Sequence, residues 1–282
     1  MVYRDLLLTA LTYPDATPDA ALRSGVALAR RCGADLTVLT IQLDAPDLRN
    51  PFANAVLDLD RIAAMERERS HEAARMEATC ARIAAEEAGV MVRTTSLTAR
   101  LYEEAEPIAR AARCHDLSLV PLGATVLVSR SVAETVLFES GRPMIVYPED
   151  REIAPGDGFG VIAVAWDGSQ RAARAVGDAL PLIKRAKSVR IYTAVGEKAQ
   201  ATRGLTNSLV RHLAAHGVKA TADEREAQGA PIGRQLADYV AETKADLLVM
   251  GGYGRTRIRE YVLGGATEAM LHAPPCPVLM SH

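Results

Sequence analysis

The sequence lacks the features that mark several large functional classes. Its four cysteines are widely separated and form no Cys-x-x-Cys pair, which argues against a zinc site or a disulfide framework and fits a reducing cytoplasm. A formal net charge of −2 offers no basic surface for nucleic acid. No apolar run approaches the roughly 20 residues that a membrane helix needs. We therefore expect a cytoplasmic protein that binds neither nucleic acid nor membrane.

Common catalytic and metal-binding motifs are also missing. The sequence has no Gly-x4-Gly-Lys-Ser/Thr loop, and no paired acids or Ser/His/Asp set is spaced for catalysis. Of the six histidines, His212 and His216 lie four residues apart in a helical pattern, as zinc ligands can, but no third ligand is evident nearby. The sequence therefore predicts a protein that is not a dedicated enzyme and has no metal site of its own.

What the sequence does contain is an alternation of short apolar runs and longer helical patterns, repeated in two halves. This alternation is typical of βαβ units and a parallel sheet. The segment 149–158 is rich in proline, glycine and acids, and it is predicted to be a linker between domains 1–148 and 159–282. The predicted strands are 4–11, 36–42, 90–96, 116–122 and 143–147 in the first half, and 160–166, 189–195, 218–224, 246–251 and 277–281 in the second.

The two halves align with each other near their ends. Laying 129–146 on 263–280 without gaps pairs Glu134 with Glu268 and superposes the apolar triplets that follow the two prolines. The individual matches are weak, but their order is the same in both halves, so a tandem duplication is predicted. The helical patterns of the second half cover 169–184, 199–216, 231–244 and 265–273.

The longest helical pattern runs from about Asp60 to Ala88. Charged residues crowd most of its surface, while one face collects apolar residues, namely Ile62, Met65, Ala73, Met76, Cys80 and Ile83. Such a pattern fits a coiled-coil helix that pairs with a partner. It also fits an amphipathic helix that covers its own sheet with this apolar face, and we favour this second interpretation.

A group of glycines near the end of the chain gives the clearest functional signal. The buried-looking strand 247–250 runs directly into glycines, and a second glycine pair opens a helical pattern that contains Thr267. Glycines at the end of a strand let backbone N–H groups approach a phosphate, and a following helix adds the positive end of its dipole. The spacing predicts a nucleotide phosphate site in the second half, or else a tight strand-to-helix connection. These glycines are Gly251, Gly252, Gly254, Gly264 and Gly265.

This Gly-x2-Gly-x9-Gly-Gly arrangement, followed by Pro-Cys-Pro-Val-Leu at 275–279, resembles the universal stress protein family, and the duplicated layout resembles its tandem-domain members. The resemblance is strong over the second half and weak over the first. It implies an α/β fold of two Rossmann-like (adenine nucleotide alpha hydrolase-like) domains. Each would have a five-stranded parallel sheet in the order 3-2-1-4-5, flanked by helices, and the two would pair through their last strands.

The resemblance also implies a set of phosphate contacts in the second half. Gly251, Gly254 and Gly264 match the three glycines of the family's nucleotide motif, and Arg255 lies in the same phosphate loop. Gly265 stands where the motif has Ser or Thr, so one hydrogen bond worth on the order of 1 kcal/mol is lost. Thr267 matches another residue that often touches phosphate and could partly compensate.

Two further positions match the family's contacts to the nucleoside. Asp167, after the first strand of the second half, corresponds to the acid that accepts hydrogen bonds from ribose hydroxyls, and taken alone it is also a good helix N-cap. Ala194 corresponds to a residue whose backbone meets the adenine. The first half lacks the glycine spacing and has Pro14 in its first turn, so we expect it to bind no nucleotide in this manner.

The resemblance thus predicts a non-enzymatic stress-response protein with ATP as a regulatory ligand in the second half, Mg²⁺ present only as the companion of ATP, and a homodimeric chain. Slow ATP hydrolysis remains compatible with it. The alternative is a nucleotide-free interaction or scaffold module, which the missing hydroxyl at Gly265 favours.

Overall fold

A computed structural model describes residues 2–44, 59–123, 127–197, 200–227, 229–252 and 265–282. The elements of the first half are β1 Asp5–Leu11, α1 Asp19–Cys32, β2 Asp35–Asp44, α2 Leu59–Ala88, β3 Val92–Arg100, α3 Ala105–Ala112, β4 Leu117–Leu122, α4 Leu127–Glu139 and β5 Met144–Pro148. Those of the second half are β6 Val161–Ala165, α5 Gln170–Ile183, β7 Ser188–Val195, α6 Thr206–Ala215, β8 Ala220–Glu226, α7 Ile232–Thr243, β9 Leu247–Gly251, α8 Ala266–His272 and β10 Val278–Ser281.

The strands form one continuous sheet because their apolar side chains are covered on both faces. Every residue of β4 and β5 is buried, as expected for strands with helices above and below. The strand order is β3-β2-β1-β4-β5-β10-β9-β6-β7-β8, which contains the order 3-2-1-4-5 twice and confirms the predicted fold. The domain bounds 1–148 and 159–282 remain a prediction.

The two halves meet through their last strands. β5 and β10 pair antiparallel, with Ile145 opposite Leu279, whereas the other neighbouring strands of the described sheet run parallel. A pseudo-twofold relation between the halves follows from this pairing, since equivalent strands lie on either side of it. The pairing within one chain is the one that the resemblance implies.

Both halves position their first strand by the same device. The Asp116 carboxylate, just before β4, accepts the backbone N–H groups of Arg4 and Asp5 at 2.8 and 3.2 Å. Asp246, just before β9, accepts those of Gly160 and Val161 at 2.9 and 3.0 Å. A carboxylate that bonds two successive N–H groups fixes the register of a strand entering the sheet. This shared arrangement supports the internal duplication.

Helix α2 covers its own sheet, but with a face other than the predicted one. Its buried side chains are mostly small, namely Ala63, Ser70, Ala74, Glu77, Ala81, Ala84 and Ala85. Alanines let the helix backbone lie close to α1 and β2, which a row of larger side chains would prevent. The prediction that the large apolar residues face the sheet is therefore wrong, because Ile62, Met65, Met76 and Ile83 are exposed.

Candidate nucleotide-binding site

The predicted contact residues of the second half gather at one edge of the sheet. β6 and β9 are neighbours, and the chain leaves them toward opposite sides, so their carboxyl ends form a topological switch point. Doubly wound folds bind ligands in the crevice at such a point. Asp167 follows β6, and Gly251 is the last residue of β9. Gly254, Arg255 and Gly264 lie outside the described residues.

The loop after β6 is fixed by hydrogen bonds to itself and to β7. The Asp167 Oδ1 atom accepts the backbone N–H of Ser169 at 2.9 Å, which shapes the turn through Gly168 at a φ of 72°. The N-cap of α5 is Ser169, whose hydroxyl accepts the N–H of Ala172 at 3.2 Å. Asp167 therefore stabilises the turn before the helix, while its carboxylate stays at the carboxyl edge of the sheet.

The glycines at the end of β9 have a packing reason for being glycine. A Cβ atom on Gly251 would lie 2.7 Å from the backbone nitrogen of Ala172, in the first turn of α5. A Cβ atom on Gly252 would lie 2.7 Å from the side chain of Leu137, which belongs to the other half. Side chains at these positions would push apart the strand end and the elements packed on it. Both glycines thus support a tight connection whether or not a ligand is bound.

Gly265 and Thr267 lie at the start of α8 in different surroundings. Gly265 is the N-cap, with an extended φ of −145°, and a Cβ atom there would have no described atom within 4 Å. Thr267 is buried in the first turn. The helix is held from two sides: a Cβ atom on Gly233 of α7 would overlap Ala269 at 2.2 Å, and Glu268 pairs with Arg130 of α4 at 2.6 Å. Among the described residues, nothing would obstruct a hydroxyl side chain at 265.

Ala194 lies within β7, one residue before its end, and is buried. Its carbonyl oxygen accepts the N–H of Glu197 at 3.3 Å and so closes the turn that follows the strand. The loop that follows β6 is tied to β7, because the Thr193 hydroxyl donates to the Trp166 carbonyl oxygen at 2.6 Å. The structure thus places the backbone of Ala194 at the same edge as Asp167.

The equivalent edge of the first half holds a cavity with a different chemistry. Its volume is about 130 Å³, and it lies at the carboxyl ends of β1 and β4. Asp15 and Glu149 line it, and burial, followed by the charges of Asp150 and Asp15, raises the pKa of the Glu149 carboxyl. A Cβ atom on Gly123 would lie 1.9 Å from a Glu149 oxygen, so this carboxylate covers the glycine that follows β4. An acidic lining opposes phosphate binding.

The role of Glu149 was not predicted from the sequence. It lies in the acidic stretch 149–158, which the sequence predicts to be a linker. The signal that could have indicated its role is the pair of acids, Glu149 and Asp150, directly after β5.

Two further properties concern only the described part of the chain. There, no three His, Cys, Asp or Glu side chains converge as metal ligands would. In the same ranges, no helix is both long and apolar enough to cross a bilayer.

The geometry defines a duplicated doubly wound α/β protein with a candidate ligand site at one switch point. Residues 158–282 match the model of the universal stress protein family, so the second half is similar to a universal stress protein domain. The whole chain is similar in fold to a universal stress protein from Archaeoglobus fulgidus DSM 4304, with 17% identity, a TM-score of 0.69, and coverage of 98% of this chain and 95% of that chain.

Two solved structures from Pseudomonas aeruginosa show the same fold over the whole chain. A functionally unknown protein from strain PAO1 is 15% identical with a TM-score of 0.56, covering 99% of this chain and 92% of that chain. A putative universal stress protein from strain UCBPP-PA14 is 15% identical with a TM-score of 0.55, covering 99% of this chain and 93% of that chain. A comparison with curated protein sequences gives no match. The first half thus shares the tandem fold, although the family match itself covers the second half.

Proposed function

We propose that the second half binds an adenine nucleotide, ATP, as a regulatory ligand, and that the protein acts without dedicated catalysis in a cytoplasmic stress response. The observation that carries this proposal is the placement of Asp167, Ala194 and Gly251 at one switch point, in the half that matches the universal stress protein family. The ribose would meet the Asp167 carboxylate and the adenine the backbone at Ala194. Mg²⁺ would arrive only with the triphosphate.

The phosphates would lie between the end of β9 and the start of α8. Backbone N–H groups at a helix start favour an anion, and Thr267 adds a hydroxyl in the first turn. Gly265 supplies no side-chain donor, so we expect weaker binding than a Ser or Thr at this position would give. The first half would stay empty of nucleotide, because the carboxylates of Asp15 and Glu149 line its equivalent edge.

The first experiment is to purify the protein, denature it and assay the supernatant for adenine nucleotide, followed by calorimetric titration with ATP. Released nucleotide, or heat that saturates below millimolar ATP, is expected. No released nucleotide and no heat up to millimolar ATP would refute the proposal and leave the nucleotide-free interaction module. Turnover of ATP that disappears with the binding site would instead assign slow hydrolysis.

A pair of variants at one position tests where the phosphates lie. Gly265→Ser should bind ATP about fivefold more tightly, since one added hydrogen bond is worth about 1 kcal/mol and no described atom obstructs the added Cβ atom. Gly265→Ala is the matched control, because it adds the same Cβ atom without a hydroxyl and should leave the affinity unchanged. Equal affinities for the two variants would place the phosphates elsewhere.

The nucleotide-free interaction module is the second candidate. It is favoured by the packing reasons found for Gly251 and Gly252, which explain these glycines without a ligand. Asp167→Asn separates the candidates, because the amide oxygen can still accept the Ser169 N–H while the negative charge is lost. Weaker ATP binding with an unchanged unfolding midpoint supports the ribose contact. ATP binding that is unaffected by the substitution removes Asp167 from the site.

A further inference from the structure

Helix α2 presents a regular stripe of side chains to solvent that the proposed function does not use. Its members follow an alternating spacing of three and four residues, which is the a and d pattern of a coiled coil. Four of them are large and apolar, yet their exposed fractions are 51%, 61%, 67% and 45% for Ile62, Met65, Met76 and Ile83. The complete stripe is Ile62, Met65, Arg69, Glu72, Met76, Thr79 and Ile83.

The stripe lies opposite the face that covers the sheet. The alanine face of α2, defined by Ala63, Ala74, Ala81, Ala84 and Ala85, is buried against α1 and β2. With about 3.6 residues per turn, the stripe points away from that face, so no element of the described chain that packs on the alanines also covers the stripe. The alanine face already accounts for the packing of the helix. The large apolar side chains on the opposite side of α2 are therefore available to contact another surface.

The charges within the stripe indicate what that surface is. Arg69 and Glu72 occupy consecutive stripe positions at the centre of the apolar residues. Two antiparallel copies of α2, related by a twofold axis between residues 70 and 71, place Arg69 of each copy opposite Glu72 of the other. The next layers outward place Met65 opposite Met76 of the second copy, and the last place Ile62 opposite Thr79. Over these six layers the seam is self-complementary in charge and its methionines pack on each other, while Ile83 lies beyond the last layer.

The residues that flank the seam support the same register. Glu68 and Arg75 are 76% and 73% exposed and lie 3.9 Å apart within one helix, a long distance for an ion pair. In the antiparallel arrangement, Glu68 of each copy flanks Arg75 of the other, as oppositely charged pairs flank a coiled-coil seam. The register therefore satisfies a second pair of charges without any further adjustment.

Other arrangements of the same two helices leave charges unmatched. A parallel pair sets Arg69 against Arg69 and Glu72 against Glu72, which is repulsive. An antiparallel pair shifted by one heptad sets Glu72 against Met76 of the second copy, which would desolvate a carboxylate without a partner. The charges thus select one orientation and one register.

We propose that the exposed stripe of α2 is an isologous contact through which two copies of this chain associate antiparallel, with Arg69–Glu72 pairs at the centre. This contact is independent of the nucleotide site, which lies in the other half of the chain. Six seam layers form a small interface, so the association is concentration-dependent rather than obligate.

The test is sedimentation velocity of the full chain over a concentration series, with charge-reversed variants. Arg69→Glu gives each helix two acids at the centre, and Glu72→Arg gives each helix two arginines, so each variant alone should dissociate at least about tenfold more readily. An equimolar mixture of the two variants should restore the dimer, since acids then face arginines in the heterodimer. The double variant with both substitutions should also dimerise. Lys219→Glu, an exposed charge reversal in the second half, is the matched control and should behave as the wild type.

The mixture separates a failed contact from a failed fold, because misfolded variants would not regain a dimer on mixing. A wild-type chain that stays monomeric at every concentration overturns the proposal. A wild-type dimer that the single variants leave unchanged overturns it as well, since the contact would then lie on another surface. Single variants that dissociate but do not recombine in the mixture would refute the antiparallel register.

Discussion

Glu77 gives the protein a stability that depends on pH, and the size of the effect can be worked out. This carboxyl on α2 is buried, and its Oε1 atom accepts the backbone N–H of Thr17 at 3.0 Å. Its Oε2 atom is buried with no hydrogen-bond partner among the described residues. Burial raises the pKa of Glu77 from 4.5 to about 8, although the hydrogen bonds from Thr17 oppose this rise. The folded protein therefore favours the protonated carboxyl.

The sign follows from comparing the folded and unfolded chains. Because the pKa is higher in the folded state, the stabilising contribution is complete below about pH 4.5 and is lost as the pH rises to about 8. Between pH 5.5 and 8.5 the linkage lowers the free energy of unfolding by about 3 kcal/mol. Glu77→Gln keeps the oxygen that accepts from Thr17 and removes the titration. The margin of the variant over the wild type should thus grow by about 3 kcal/mol between pH 5.5 and pH 8.5.

The measurement is urea unfolding at both pH values, at one protein concentration, followed by circular dichroism. Glu86→Gln is the matched control, because Glu86 is exposed on the same helix and should leave the pH dependence as it is in the wild type. If the wild type and Glu77→Gln differ by the same amount at pH 5.5 and 8.5, Glu77 does not have a raised pKa and the reasoning fails.

Three further predictions concern packing, the junction of the halves and thiol reactivity. Gly251→Ala should lower the free energy of unfolding by about 1–3 kcal/mol in urea, because its Cβ atom meets the backbone of α5, whereas Gly177→Ala within α5 should not, because no described atom lies within 4 Å of its Cβ atom; equal values would contradict the packing role. Arg130→Met should lower the free energy of unfolding by about 1–2 kcal/mol, since it leaves two carboxylates facing each other without a cation. An unchanged unfolding midpoint would show that the ion pairs contribute nothing to stability. Iodoacetamide at pH 8 should label the exposed Cys114 first and Cys32 last, because burial raises the Cys32 pKa to about 12, and mass spectrometry of the digest would show any reversed order.

The sheet could be predicted from the sequence because its signal is local. A strand covered on both faces needs a nearly continuous apolar run, and β4 and β9 show such runs between polar turns. The orientation of α2 could not be predicted in the same way. Apolar size pointed to Ile62 and Met76 as the buried residues, whereas close approach of the backbone selects the alanines.

The candidate site was predictable in outline for a similar reason. Asp167 and Gly251 end strands that the fold brings side by side, so their shared edge follows from topology. Contacts between segments that are distant in the sequence do not follow from the topology. The clash that a side chain at 251 would make with α5, and the reach of Glu149 over Gly123, depend on packing that no local pattern encodes.

The antiparallel junction of β5 with β10 has a consequence for how the halves can differ. Two separate chains would pair only above a threshold concentration, but one covalent chain holds its halves together at any dilution, through a high effective concentration. A symmetric pair of identical chains would also need every junction residue twice. Here a single arginine, Arg130, binds both Glu134 and Glu268, the two acids that the internal repeat aligns with each other. Such an asymmetric contact is possible only when the two halves belong to one chain. Each half can then specialise while the other maintains the shared sheet.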